Sequence, residues 1–277
     1  GLISPEKSVI IDKYNTIKYN IRIQYIFIAI RGRNNMKTKA LLKCIGLICI
    51  WFLSLQFFSI LFRNADITRI LSILIVGILV FCMNRKNHYI RFVPEEKPRM
   101  QIILLALLSG IGLSFFNMIS ALQFMLSGAM EEMAQVQTDD VSISLLFIVL
   151  SVAGAVVEEL FFRGILLNLC RPYDRAASAI IISAVLFAVM HLSPLMMLHT
   201  FISGLVFGYF YYHTENIYIP ILMHLTNNLL WSTALNAWLF GPFMSLTGEL
   251  QGAVIMVVAG LVMVICSTAV FAQKYVK

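Results

Sequence analysis

Apolar residues run in long, nearly unbroken stretches here, not in alternating or one-stripe-per-turn patterns. A stretch that crosses hydrocarbon needs about 20 mostly apolar residues. It must also be helical, because no water is present to satisfy its backbone amides. By that measure eight segments qualify, roughly 42–62, 67–83, 101–127, 142–170, 176–192, 196–212, 219–239 and 251–272. The second, fifth and sixth are at the short end. Nothing between them is long enough for a water-soluble domain. The pattern predicts an all-α, polytopic helical membrane protein with about eight transmembrane helices. Pro194 and Pro220 fall at predicted helix ends, ordinary places for proline. Gly204 and Gly208 form a small-xxx-small step that would let the sixth span pack closely on a neighbour.

Composition agrees. Of 277 residues, 60% are hydrophobic and 13% charged, with a mean hydropathy of +0.85, whereas soluble domains carry about 25% charged residues. The net charge of +7 could suggest nucleic acid, but the basic residues sit at loop ends beside apolar spans, so no nucleic-acid partner is expected. Loop charge alternates in sign. Arg31, Arg33, Lys37 and Lys39, then Arg85, Lys86, Arg91, Lys97 and Arg99, then Arg171 and Arg175, then Lys274 and Lys277 mark one side. Glu131, Glu132, Asp139, Asp140 and Glu249 mark the other. The positive-inside rule places both termini in the cytoplasm of a multi-pass cell-membrane protein. Cys44, Cys49, Cys82, Cys170 and Cys266 form no C-x-x-C pair, which argues for packing and not for a disulfide framework. The chain begins at Gly1, and Met36 followed by Lys37, Lys39 and an apolar run resembles a natural start. Residues 1–35 are therefore expected to be an N-terminal extension that need not be native, with 36–277 as the helical membrane domain.

The polar residues inside the spans carry the chemistry. Residues 152–167 read VAGAVVEELFFRGILL. A charge at the centre of a membrane helix costs about 2.5–3.5 kcal/mol on insertion scales, so Glu158 and Glu159 together need compensation. Arg163 lies one turn after Glu159, in position for an ion pair along one face. Glu158 lies about 100° round the helix and must face something else. A purely structural role, with both glutamates binding Arg163, is the competing account. Two further spans add polar groups, His191 in FAVMH and His224 with Asn228 in MHLTN, the latter pair on one face. At about 1.5 Å per residue, Glu158 lies roughly 20 Å from Arg171, His191 about 24 Å from Arg175 and Asn228 about 18 Å from Asn216. Those depths let the groups meet, with His224 shallower.

E-E-x-x-x-R (Glu158 to Arg163), F-x-x-x-H (Phe187 to His191) and H-x-x-x-N (His224 to Asn228), in that order, resemble the CAAX protease and bacteriocin-processing (Abi) family of intramembrane proteases. The Ras-converting CAAX endopeptidases belong to that family. The surrounding text GYFYYHTENIYIPILMHLTNNL is also similar to its phrasing. The resemblance covers residues 150–230 and implies a protease core at about 142–240, hydrolysing a peptide bond in a membrane-associated protein or peptide precursor. It implies Glu158 as general base activating water together with His191. His224 and Asn228 would form the oxyanion hole, and Glu159 with Arg163 would orient Glu158. The implied mechanism is metal-free; zinc, if bound, would take Glu158, His191 and His224. H-E-x-x-H is absent. The isoleucine-, lysine- and asparagine-rich usage suggests a bacterial source and a bacteriocin or signalling-peptide leader as substrate.

Other readings fit less well. A rhomboid-like serine protease needs a G-x-S-x nucleophile, and Ser203-Gly204 is preceded by Phe201 and Ile202. An aspartyl type needs aspartates within spans, and Asp174 falls in a loop. Two non-enzymatic alternatives stay open: an inactive family member serving as an immunity or scaffold protein, and an ion-coupled transporter, since intramembrane charges also mark ion pathways.

Overall fold

The structure is a computed structural model that describes residues 5–94, 97–127, 145–172, 175–191, 193–231 and 233–276. The acidic loop residues Glu131, Glu132, Asp139 and Asp140 lie outside these, as do Tyr173 and Asp174. The described residues are helical, with no strand among them.

The elements are α1 (Pro5–Phe62), α2 (Ala65–Asn87), α3 (Met100–Phe116) and α4 (Met118–Ser127). They continue with α5 (Leu145–Glu159), a π-helical stretch (Leu160–Leu167) and a last α-turn (Asn168–Cys170). The chain then forms α6 (Ala176–Met190), α7 (Pro194–Thr214), α8 (Tyr218–Trp231), α9 (Thr233–Thr247) and α10 (Glu249–Tyr275). Four helices, Asn35–Phe62, Ala65–Asn87, Met100–Gln123 and Glu249–Tyr275, are long and apolar enough to cross a membrane by length and composition. The remaining expected spans fall on shorter or divided helices: 142–170 on α5 with its π continuation, and 219–239 on α8 and α9. The expected single span at 101–127 breaks at Asn117, between α3 and α4.

Local signals explain several boundaries. Arg63 takes a left-handed conformation (φ 49°), and the Asn64 side chain accepts a hydrogen bond from the Ile67 N–H (2.9 Å), which caps α2. Pro194 opens α7, where its missing N–H removes no helical bond.

Polarity is inverted relative to a water-soluble protein. Glu159 and Arg163 are buried, while Leu53, Phe57 and Ile60 of α1, Ile78 and Phe81 of α2, and Val258, Val262 and Ile265 of α10 are exposed. Hydrocarbon accepts such a surface; water does not. The chain is a multi-pass membrane protein. Small residues bring the helices together. A Cβ on Gly110 would meet the Met223 carbonyl oxygen at 2.8 Å, one on Gly112 the Gly260 carbonyl oxygen at 2.9 Å, and one on Gly204 the Ala184 Cα at 3.0 Å. The Gly204–Gly208 step thus seats α7 against α6. Around it, Trp51, Phe161, Phe162 and Phe187 fill an aromatic core beneath the polar residues.

Candidate active site

Glu158 and Glu159 end α5, and the π-helical stretch starts at the next residue. A π-turn inserts an extra residue into the helical ladder and is frequent at functional sites. Here it carries Arg163, whose Nη1 donates to Glu159 Oε1 at 2.8 Å, both side chains 0% exposed. Arg163 Nη2 donates to the Gly204 carbonyl oxygen at 3.2 Å. The guanidinium carbon also lies 4.6 Å from the Phe187 ring centroid, 5.3 Å from that of Phe207 and 5.9 Å from that of Phe162. An always-charged group is thereby held by one carboxylate, one carbonyl and three π-faces.

Glu159 Oε1 has a second partner, His224 Nδ1, at 2.8 Å. A carboxylate already holding a guanidinium can only accept, so His224 Nδ1 carries the proton. His224 is stacked on Phe207 (5.3 Å between centroids, 28°) and meets the edge of Phe187 at 5.8 Å. Its Nε2 lies 3.8 Å from Glu158 Oε2, and the Glu158 side chain is 27% exposed. Arg163, Glu159, His224 and Glu158 thus form a row. His224 stands between Glu159 and Glu158, and Arg163 meets Glu159 from the other side.

His191 caps α6 and its Nδ1 lies 2.9 Å from the Phe187 carbonyl oxygen. A carbonyl only accepts, so Nδ1 donates and Nε2 is the ring nitrogen left for another partner. Glu158, His191 and Asn228 all line one cavity of about 390 Å³, together with Trp51, Arg69, Ser72 and Phe162. Asn227 Nδ2 donates to Asn228 Oδ1 at 3.3 Å, and Asn117 Nδ2 donates to Asn227 Oδ1 at 3.0 Å. The four residues expected to do chemistry are therefore brought together, three on the cavity wall and His224 against Glu158.

Glu158, His191 and His224 were the ligands named for a metal. Among the described residues no group of three or more His, Cys, Asp or Glu side chains is arranged to hold a metal ion. His224 Nδ1 is committed to Glu159, which leaves Nε2 on the side of Glu158.

Sequence reasoning missed Phe162 and Phe207 as walls of the Arg163 pocket, Gly204 as its acceptor, and the Asn117–Asn227 pair. Asn117 stands in the middle of an otherwise apolar run, a signal of the same kind that singled out His191. A second buried pair, Ser120 Oγ and His199 Nδ1 at 2.9 Å, joins α4 to α7.

Comparison with known proteins finds similarity over the same segment of the chain. The family described as Rce1-like, type II CAAX prenyl endopeptidase Rce1-like, matches residues 140–230. A protein of Bacillus subtilis (strain 168) named as a membrane peptidase, YdiL, is 31% identical over 87 residues, which are 31% of this chain and 36% of that protein. The match thus spans about a third of that relative's length. No solved structure matches. The resemblance to the CAAX protease family is therefore found over the segment that holds Glu158, Glu159, Arg163, His191, His224 and Asn228.

Proposed function

We propose that a chain so similar to the CAAX endopeptidases across its polar centre is itself an intramembrane endopeptidase. The carrying observation is the cavity, in which a half-buried carboxylate, Glu158, shares one wall with His191 and Asn228 and has His224 Nε2 at 3.8 Å. In the proposed reaction the Glu158 carboxylate takes a proton from water while the His191 Nε2 lone pair accepts the second hydrogen and aims the oxygen. The oxygen adds to the scissile carbonyl, whose bonding pair moves onto the carbonyl oxygen. Asn228 Nδ2–H and His224 Nε2–H donate to that oxyanion. For His224 to donate from Nε2 while Nδ1 donates to Glu159, both ring nitrogens are protonated. The row then alternates Arg163 plus, Glu159 minus, His224 plus, Glu158 minus, which removes the net charge that would be expensive to bury. Collapse of the intermediate breaks the C–N bond, and Glu158 returns its proton to the leaving nitrogen.

The substrate class that fits is a peptide precursor or membrane-associated protein that enters from the bilayer. The test is cleavage of candidate peptides by the full chain in liposomes, with and without Glu158→Ala. Removal of the base should lower kcat by about a hundredfold or more with the protein still folded. Undiminished cleavage by the variant would remove Glu158 from its role. No cleavage by either protein would favour a scaffold, immunity or transport function.

A further inference from the structure

Asn228 serves the proposed reaction in only one orientation. A carboxamide has a donating end and an accepting end, and an inverted Asn228 would turn its oxygen toward the developing oxyanion. The choice is made at its far side. Asn227 Nδ2 donates to Asn228 Oδ1 at 3.3 Å, which leaves Asn228 Nδ2 for the cavity. Asn227 is held in turn, since Asn117 Nδ2 donates to its Oδ1 at 3.0 Å.

The first two members of this chain are well buried, with Asn117 2% and Asn227 7% exposed. Asn117 stands at the break between α3 and α4, where its backbone N–H still donates to the Leu113 carbonyl oxygen at 2.9 Å. Among the described residues, none of α3 or α4 lines the cavity. Asn117 Oδ1 is buried without a partner among the described residues. That detail sets the direction: a buried carbonyl oxygen left alone is tolerated better than a buried N–H, and turning Asn117 over would bury its amine there instead.

We propose that Asn117 is a positioning residue: acting through Asn227, it sets the direction of a three-carboxamide chain and keeps the N–H bonds of Asn228 facing the substrate. What Asn228 then does rests on the peptidase reading above; the chain of amides does not.

The test uses the full-length protein in liposomes with Asn117→Leu and Asn117→Asp. Direct loss of an oxyanion donor lowers kcat by about a hundred- to a thousandfold. Loss of its orientation in Asn117→Leu should lower kcat by about tenfold or more, with KM within about twofold of wild type. In Asn117→Asp a protonated carboxyl donates as Asn117 does, whereas an ionised one only accepts and inverts Asn227 and then Asn228. Its kcat should therefore fall with rising pH by a step absent from wild type and from Asn117→Leu. His199 on α7 and His224 on α8 are common to all three proteins, so their own titration cancels. The second readout is the side-chain amide resonance of Asn228 in ¹⁵N-asparagine-labelled protein, assigned by its loss in Asn228→Ala, which should shift in Asn117→Leu and, on the alkaline side, in Asn117→Asp. Wild-type kcat in Asn117→Leu, or an unmoved Asn228 resonance, overturns the positioning role. If Asn117→Leu does not fold, Asn117→Asp on the alkaline side supplies the same two readouts. Absence of Glu158-dependent cleavage in the wild type sinks the peptidase reading, and the resonance still decides whether Asn117 orients Asn228.

Discussion

Arg163 and Glu159 are fully buried, and each is tolerable only because the other is present. Removing one partner of such a pair strands a charge and destabilises by about 3–5 kcal/mol, whereas replacing both with apolar residues can be nearly neutral. Arg163→Met should therefore lower the unfolding temperature in detergent sharply, and Arg163→Met with Glu159→Leu should recover part of the loss. Equal stability of wild type and Arg163→Met would show that the pair does not hold the helices. Activity should behave differently. The double variant is expected to stay inactive, because Glu159 is also the acceptor for His224 Nδ1 at 2.8 Å. Stability recovered without activity is the signature of a residue that positions as well as packs.

Among the elements, the crossing of α3 and α10 is set by backbone contact. A Cβ on Gly260 would fall on the Gly112 carbonyl oxygen and lie 2.6 Å from the Phe116 backbone nitrogen, atoms that cannot move aside as a side chain could. Beside this crossing, the hydroxyls of Ser109 and Ser267 share a hydrogen bond at 2.7 Å. Gly260→Ala should separate the two helices and lower stability by about 1–3 kcal/mol, the usual effect of overpacking. Gly77 in α2 has nothing within 4 Å of its Cβ position, so Gly77→Ala should be neutral or slightly stabilising through helix propensity. Thermal unfolding of both variants in one detergent checks the pair, and equal effects would refute the close approach. The Gly204–Gly208 step was legible in the sequence because its spacing is local. Gly110, Gly112 and Gly260 were not, since a glycine's neighbour on another helix leaves no trace in its own surroundings.

For the whole molecule, several loop ends lie on one side. Arg171 pairs with Glu215, and Arg91 Nη1 lies 3.9 Å from the same carboxylate. This joins the segment after α2, the residue after the α-turn Asn168–Cys170 and the end of α7. Tyr275 donates from its hydroxyl to Gln101 Oε1 at 2.6 Å, which sets the end of α10 beside the start of α3. The carboxyl-terminal end therefore shares a side with the basic segment that holds Arg91 and Arg99. If that side is the cytoplasm, as the positive-inside rule predicts, a fluorescent protein fused after Lys277 should fluoresce and a periplasmic phosphatase fused there should stay inactive. The reverse result would invert the orientation.

The amino-acid sequence by itself determined what depends on composition and on neighbours along one helix. Long apolar runs require helices in a membrane, and the four-residue interval from Glu159 to Arg163 already makes an ion pair. The polar residues worth watching could be named because their burial is expensive wherever it occurs. Tertiary structure decided the rest. That Glu159 holds His224, that Glu158 faces a cavity with His191 and Asn228, and that Asn117 reaches Asn228 through Asn227 are contacts between helices. Their partners lie 33 to 111 positions apart, from Glu158 with His191 to Asn117 with Asn228. The π-helical stretch compounds this, since its wider turn shifts the residues that follow it from the phase that α-helical periodicity predicts.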